Sequence, residues 1–249
     1  MARLLITLRY DGTAYHGWQV QPNGVTVQHV LQDAVEAVTG VRAAVTGCSR
    51  TDAGVHADMF CCALDTDSSL RGDKLASALN FHLPRDIAVY DVREVAAGFH
   101  PRYHARGKRY IYRIWNGTQR HPVYDRYALH RKQRLDETAL CRAAADYIGT
   151  HDFAAFCAAG SDVQDTVRTV HDCRVERQGD LVIFSVEADG FLYNMVRIMV
   201  GTLLEIADGR LASDAIPLIL ASGERAAAGP TAPAKGLCLQ RVFYDEEGG

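Results

Sequence analysis

The sequence predicts an α+β fold: two similar mixed α/β halves with antiparallel sheets, related by a pseudo-two-fold, with a cleft between them. Three observations lead there. Helical patterns alternate with mostly hairpin-linked strand patterns, which favours α+β over a doubly wound parallel sheet. Each half opens with a Tyr-containing strand, LLITLRYDG or KRYIYRIWNG, and continues through a helix, strands and a second helix. The chain has 249 residues, 48% of them hydrophobic and 23% charged, enough for two domains of about 125 residues, each with its own core. The division falls between 1–98, which carries a glycine-rich loop around Asp52, and 99–249, which carries a basic segment and a helix containing Arg197.

Along the chain, strand-like runs are expected at 4–10, 59–64, 87–95, 109–115, 171–177, 181–188 and 237–244. Helical patterns cover 27–38, 70–79, 136–148, 192–206 and 213–220. In the first helix Val27, Val30, Leu31, Ala34, Val35 and Val38 follow the i, i+3, i+4, i+7 rule. Thr26 is its expected N-cap, and Gly40 follows its end. The run 59–64, MFCCAL, is apolar throughout and reads as a buried strand. Residues 223–236, GERAAAGPTAPAKG, form a Gly/Pro/Ala-rich loop before the last strand.

No apolar run approaches the roughly 18 residues of a membrane span. The N-terminus, MARLLITLRYDGT, does not have the pattern of a signal peptide. A cytoplasmic protein without membrane attachment is the expectation. The seven cysteines include no C-x-x-C pair, so reduced, mostly buried thiols are expected rather than a disulfide framework or zinc ribbon.

Net charge is −3, which by itself disfavours a nucleic-acid partner. Its distribution points the other way. Residues 99–134 hold ten basic residues, among them Arg102, Arg106, Lys108 and Arg109, against a single acid, Asp125. Phe99, His100, Tyr103, Tyr110, Tyr112 and Trp115 are interleaved with them. Basic and aromatic side chains in alternation suit phosphate contact with base stacking. A solvated basic face covering an acidic neighbour fits the composition equally.

The densest polar cluster is GCSRTDAGVHA, 47–57. Arg50 and Asp52, two apart, point the same way in an extended segment, and Gly54 permits a turn that a Cβ would resist. Asp52 reads either as a reactive carboxylate or as a carboxylate that closes a turn. Walker, dinucleotide, H-E-x-x-H and G-x-S-x-G motifs are absent, which excludes the corresponding chemistries. Asp52, His56 and Asp58 could ligate a metal, but no second cluster has ligand spacing. The run 190–206 is apolar on nearly every helical face, with Arg197 in its middle. A buried guanidinium keeps its proton and needs a partner. Asp52 is one candidate; reaching the surface, or pairing with Glu205 or Asp208, is the alternative.

GCSRTDAGVHA resembles the catalytic signature G-R-T-D-A-G-V-H of the tRNA pseudouridine synthase A family. YDGTAYHGWQ, NFHLPRDIAV, FHPRYHARGKRYIYRIWN, TVRTV, FLYNMVRIMVGTLLEI and APAKGLCL resemble further family motifs in the same order, so the likeness spans nearly the whole chain. The resemblance implies conversion of uridine to pseudouridine in the tRNA anticodon stem-loop, at positions 38, 39 or 40, with no cofactor and no metal. It implies that Asp52 is the catalytic aspartate and that Tyr110 lies against the uracil. Arg197 would pair with the aspartate, Leu237 line the uracil pocket, and Arg50 hold the target base out of its stack. Phe99, His100, Arg102, Tyr103, Arg106, Lys108 and Arg109 would contact tRNA. It also implies a homodimer with one tRNA across both subunits.

Two departures from the family pattern stand out. Cys48-Ser49 precedes Arg50 where Ala-Gly is commoner, and Val163-Gln164-Asp165 stands where some members carry a basic stretch. An RNA-binding module without catalysis, a relative acting on other uridines, and a metal-dependent hydrolase are the competing readings.

Overall fold

The computed structural model describes residues 1–160 and 163–245. In chain order its strands and α-helices are β1 (Ala2–Tyr10), α1 (Val27–Thr39), β2 (Thr46–Gly47), β3 (His56–Thr66), α2 (Gly72–His82), β4 (Ile87–Val95), β5 (Ala105–Trp115), β6 (Leu129–His130), α3 (Glu137–Ala145), β7 (Gly149–Asp152), β8 (Val167–Gln178), β9 (Leu181–Ala188), α4 (Met195–Ala207), α5 (Ala215–Ser222) and β10 (Leu237–Tyr244). The chain forms two compact units. Unit 1 is Met1–Arg106 together with the chain from Cys238 onward, and unit 2 is Gly107–Leu237. Each is a mixed α/β unit with a mostly antiparallel sheet, as the α+β expectation requires.

The sheet of unit 1 runs β4-β1-β3-β10. β1 is antiparallel to β3 and to β4, and β10 joins β3 in parallel, with Cys238 opposite His56. β3 buries Phe60, Cys61, Cys62, Ala63 and Leu64 in succession. That continuous burial explains why this run carries no alternation. α1 matches its pattern closely. The Thr26 side chain accepts from His29 N, Gly40 closes the helix at φ 75°, and Val27, Leu31, Ala34 and Val35 are buried. Capping and the apolar stripe therefore point to the same helix.

The sheet of unit 2 runs β5-β9-β8-β7, with β6 paired in parallel to β5. β9 alternates cleanly, burying Val182, Phe184, Val186 and Ala188. α3 is capped by Asp136, whose side chain accepts from Ala139 N. α4 buries nine of its residues, including Met195, Ile198, Met199 and Leu203, so its apolar circumference reflects a core helix.

Several elements differ from expectation. β2, β6 and β7 span two to four residues, too few to display a period of two. The fourth helix begins at Met195 rather than 192, because Asn194 at its N-cap adopts φ 60° and breaks the helical path. The fifth is shifted to Ala215–Ser222 and tolerates Pro217 in its first turn, where backbone N–H groups have no helical partner. The division expected after residue 98 falls inside unit 1, which also takes back the last strand.

Candidate active site

In unit 1, Asp52 opens a tight turn: Val55 N donates to Asp52 O at 3.2 Å, and Gly54 at the third position has φ 78°. Positive φ there is what a type II turn demands. Asp52 is half-buried, Thr51 buried and Arg50 exposed. The turn is held by the segment YDGTAYHGW, 10–18. Trp18 N donates to Thr51 O at 3.1 Å, and Gly54 N donates to Tyr15 O at 3.2 Å. The Tyr10 hydroxyl meets Thr51 Oγ1 at 2.8 Å in a buried contact. These bonds grip the chain on either side of Asp52.

The grip depends on backbone touching backbone. A Cβ on Gly17 would overlap the Thr51 carbonyl oxygen, and one on Gly12 would overlap that of Val55. Gly17 also has φ 83°, where an L side chain is disfavoured. Trp18 stacks on Phe60 at 4.0 Å between ring centroids. Buried His56 reaches back with one nitrogen: Nδ1 lies 3.0 Å from Gly12 N and 3.1 Å from an Asp11 carboxylate oxygen. The NFHLPRDIAV segment adds a further brace. The Tyr15 hydroxyl donates to Asp86 Oδ1 at 2.6 Å, and Asp11 N donates to Asp86 O at 2.9 Å. Burial and the Asp86 carboxylate both push the Tyr15 hydroxyl pKa up, so it stays a donor.

Cys48 is fully buried and belongs to the same scaffold. Its N–H donates to Cys61 O at 2.8 Å, and its sulfur accepts from Cys61 N at 3.4 Å. The Cys48 departure therefore sits in the core behind the loop. The seven cysteines form no disulfide, and five are buried.

In unit 2, Arg197 is half-buried on α4. Its Nε donates to Ala232 O at 2.7 Å and its Nη1 to Asn194 Oδ1 at 2.6 Å. Ala232 N donates in return to Arg197 O at 3.1 Å. Glu205 and Asp208, the acids considered on α4 and just beyond it, are engaged by Arg210, and Asp208 also by Arg131. The loop carrying Ala232 lies directly on α4. A Cβ on Gly201 would overlap the Pro230 carbonyl, and Gly229 N donates to Thr202 Oγ1 at 2.9 Å. The buried Tyr112 hydroxyl donates to Pro233 O at 2.8 Å. Its pKa is raised by burial, against the opposing charge of Arg197.

Tyr110 is buried in β5 with its ring edge-to-face on Phe191, centroids 5.0 Å apart. Leu237 is buried at the end of the same loop. Unit 2 thus holds Tyr110, Arg197 and Leu237, and unit 1 holds Arg50 and Asp52.

The expected tRNA contacts fall into two groups. Phe99 is buried, stacked with His104 and tilted against Tyr244, and its carbonyl accepts from Arg3 Nε at 2.6 Å. Lys108 is only 7% exposed. Arg109 makes two hydrogen bonds to Glu187 across the β5–β9 register, and Arg106 pairs with Asp245. Arg102 and Tyr103, by contrast, face solvent, Tyr103 at 77%. The Tyr103 ring stacks on His100 at 4.2 Å. His100 Nδ1 accepts from the backbone N–H groups of Arg102 and Tyr103. Burial and the charges of Arg3, His104 and Arg102 hold this imidazole below its usual pKa, which suits an acceptor nitrogen. The basic segment is therefore partly ion-paired structure and partly exposed surface.

Gly12, Tyr15, Gly17, Asp86 and Asn194 are site-building residues that residue-type reasoning did not single out. The glycines in YDGTAYHGW were the available signal; their partners, distant in sequence, were not. Among the described residues no group of three or more His, Cys, Asp or Glu could hold a metal ion, and no helix is long and apolar enough to cross a membrane.

The family model described as tRNA pseudouridine synthase matches residues 6–104 and 143–245. The tRNA pseudouridine synthase A of Moorella thermoacetica is 49% identical over 246 residues, covering 98% of this chain and 100% of the relative. Those of Acetivibrio thermocellus and Clostridium kluyveri are each 44% identical over 244 residues, with the same coverage. With both units matched and relatives aligned over their full length, the chain belongs to the tRNA pseudouridine synthase family.

Proposed function

We propose that this protein isomerises uridine to pseudouridine in the anticodon stem-loop of tRNA, at positions 38, 39 or 40. The reaction breaks the N1–C1′ bond, turns the uracil and forms a C5–C1′ bond. The hydrogen at C5 leaves to solvent while N1 gains one, so no oxidant, reductant or group donor enters. The observation that carries the reading is the Asp52 turn, a carboxylate-bearing loop gripped on both sides by the Tyr10–Trp18 backbone.

In this reading Asp52 is the catalytic carboxylate. It adds to the sugar, adds to the ring, or takes a proton from C2′; each role needs the ionised form. Arg197 is its counter-ion, and its support is the matched motif and the rigid mounting of the guanidinium. Tyr110 offers a ring face to the uracil and a hydroxyl for proton transfer. Leu237 lines the apolar side of the base, and Arg50 holds the extruded nucleotide. Taking a base out of the stack costs a few kcal/mol, and phosphate contacts from the exposed basic residues offset it. Two copies of the chain acting on one tRNA in the cytoplasm complete the proposal.

The test is release of tritium from tRNA labelled at uracil C5. Wild-type protein should release it without added cofactor, and Asp52→Asn should bind tRNA and release none. No release at stoichiometric enzyme with any tRNA rejects the activity. Full activity of Asp52→Asn rejects the assignment of the carboxylate. Sequencing the modified positions in a deletion strain separates 38–40 from other uridines.

A further inference from the structure

We infer that Asn194 is a positioning residue for Arg197, an inference that rests on the role given to Arg197 above. Asn194 is the one non-glycine residue with positive φ among the described residues, at φ 60°, ψ 8°. It occupies the N-cap position of α4, and its carbonyl accepts the first helical bond, from Ile198 N at 3.0 Å. An asparagine that caps a helix normally has extended φ/ψ and offers its side-chain oxygen to the free N–H groups of the first turn. Asn194 does neither. Its side chain makes no capping bond. Its Oδ1 accepts from Arg197 Nη1 at 2.6 Å, one turn along the helix.

The left-handed backbone and the forgone cap have one common consequence: they deliver the carboxamide to the guanidinium. Arg197 Nε is meanwhile bonded to Ala232 O at 2.7 Å. Two bonds to different nitrogens of a rigid planar group determine its plane and its heading, and therefore where Nη2 is aimed. The second anchor is itself fixed, since Ala232 adjoins Pro233, whose carbonyl takes the Tyr112 hydroxyl, and follows Pro230, whose carbonyl is in close approach to Gly201. Strain held at a site and spent on orienting a charged group is preorganisation, which speeds a reaction without tightening substrate binding.

Asn194→Gly separates this role from a purely structural one. Glycine adopts positive φ without the steric penalty of a Cβ and serves almost as well as asparagine at an N-cap, so relief of the backbone strain offsets the lost hydrogen bond and the melting temperature should change little. It removes only the carboxamide. Single-turnover kcat should fall about tenfold to a hundredfold, the range for losing a hydrogen bond to a charged group, while KM for tRNA changes less than twofold. A kcat within twofold of wild type overturns the inference, as does a loss of activity that follows a lowered melting temperature. Arg197→Met is measured alongside. If it retains full activity, the role given to Arg197 is what fails. If it is inactive while Asn194→Gly is unimpaired, the positioning inference alone fails.

Discussion

The carbonyl oxygen of Thr51 occupies the space that a side chain on Gly17 would fill. Trp18 N, the next donor along, bonds that same oxygen at 3.1 Å. The residue before Asp52 is thus positioned by a glycine more than thirty places upstream, and the fit leaves no room for a methyl group. Close backbone approach of this kind turns a loop carboxylate into a fixed one.

Gly17→Ala should therefore displace the Asp52 turn. The left-handed φ alone costs an alanine about 1–2 kcal/mol, and the overlap with Thr51 adds to it. We expect a lower melting temperature and a kcat reduced by about a hundredfold or more, with tRNA affinity nearly retained. Gly40→Ala has a similar φ and nothing within 4 Å of the added Cβ, so it should show the stability loss and no kinetic defect. Melting curves and tritium release on the two variants decide this.

Gly201→Ala tests the equivalent contact in unit 2. Its Cβ would overlap the Pro230 carbonyl on the loop that carries Ala232. Destabilisation of about 1–3 kcal/mol is expected, the range for overpacking, measurable by urea denaturation. A stability equal to wild type would show that the loop moves freely away from α4.

Surface and core should part company in the basic segment. Tyr103→Ala should weaken tRNA binding by about 1–3 kcal/mol, as for loss of a stacked base, and leave the melting temperature unchanged. Arg102→Ala should lower affinity and reduce the salt slope by about one. Lys108→Ala should act through stability, because the side chain is buried. Filter binding across a salt series, with melting curves, distinguishes the three.

Alkali should unfold unit 1 from within. Burial pushes the Cys61 thiol from 9.0 up to about 11, against the lowering effect of Thr7 and Tyr244, and fully buried Cys62 is raised as well. The neutral thiol is the folded form, so the unfolded chain loses its proton first as pH rises. The contribution is intact below about pH 9 and vanishes as pH climbs to about 11, up to about 3 kcal/mol for Cys61. Cys61→Ala should flatten the fall in melting temperature between those values; an unchanged slope would refute the assignment.

Acid acts on unit 2 with the opposite sign. The hydrogen bond from Arg177 Nε at 2.8 Å, then a backbone bond, holds Glu137 below its usual pKa of 4.5. Its stabilisation is present above that value and is lost as pH falls through the lowered one. Glu137→Gln should make the melting temperature less sensitive to pH below 4.5.

Local chemistry made much of this protein legible from its residues. Val27–Thr39 could be drawn with both caps because the signals lie within a few residues of one another. The buried strand after the Asp52 loop was visible as an unbroken apolar run. The RTDAGVHA and FLYNMVRIM stretches, together with five other ordered motifs, identified the family, and the roles proposed for Asp52, Tyr110 and Arg197 follow from that likeness. Other features depended on parts of the chain far apart in sequence. Gly17 meeting Thr51, Asp86 bracing Tyr15, and Gly201 admitting Pro230 are long-range approaches with no periodic trace. The burial of Lys108 and the pairing of Arg109 with Glu187 depend on strand register, which composition does not report. Asn194 is the sharpest case. Its type suggests a cap, but its side chain makes no capping bond and instead accepts from Arg197, while its backbone lies in the left-handed region. The guanidinium it meets is also held by the carbonyl of Ala232, thirty-five places beyond Arg197.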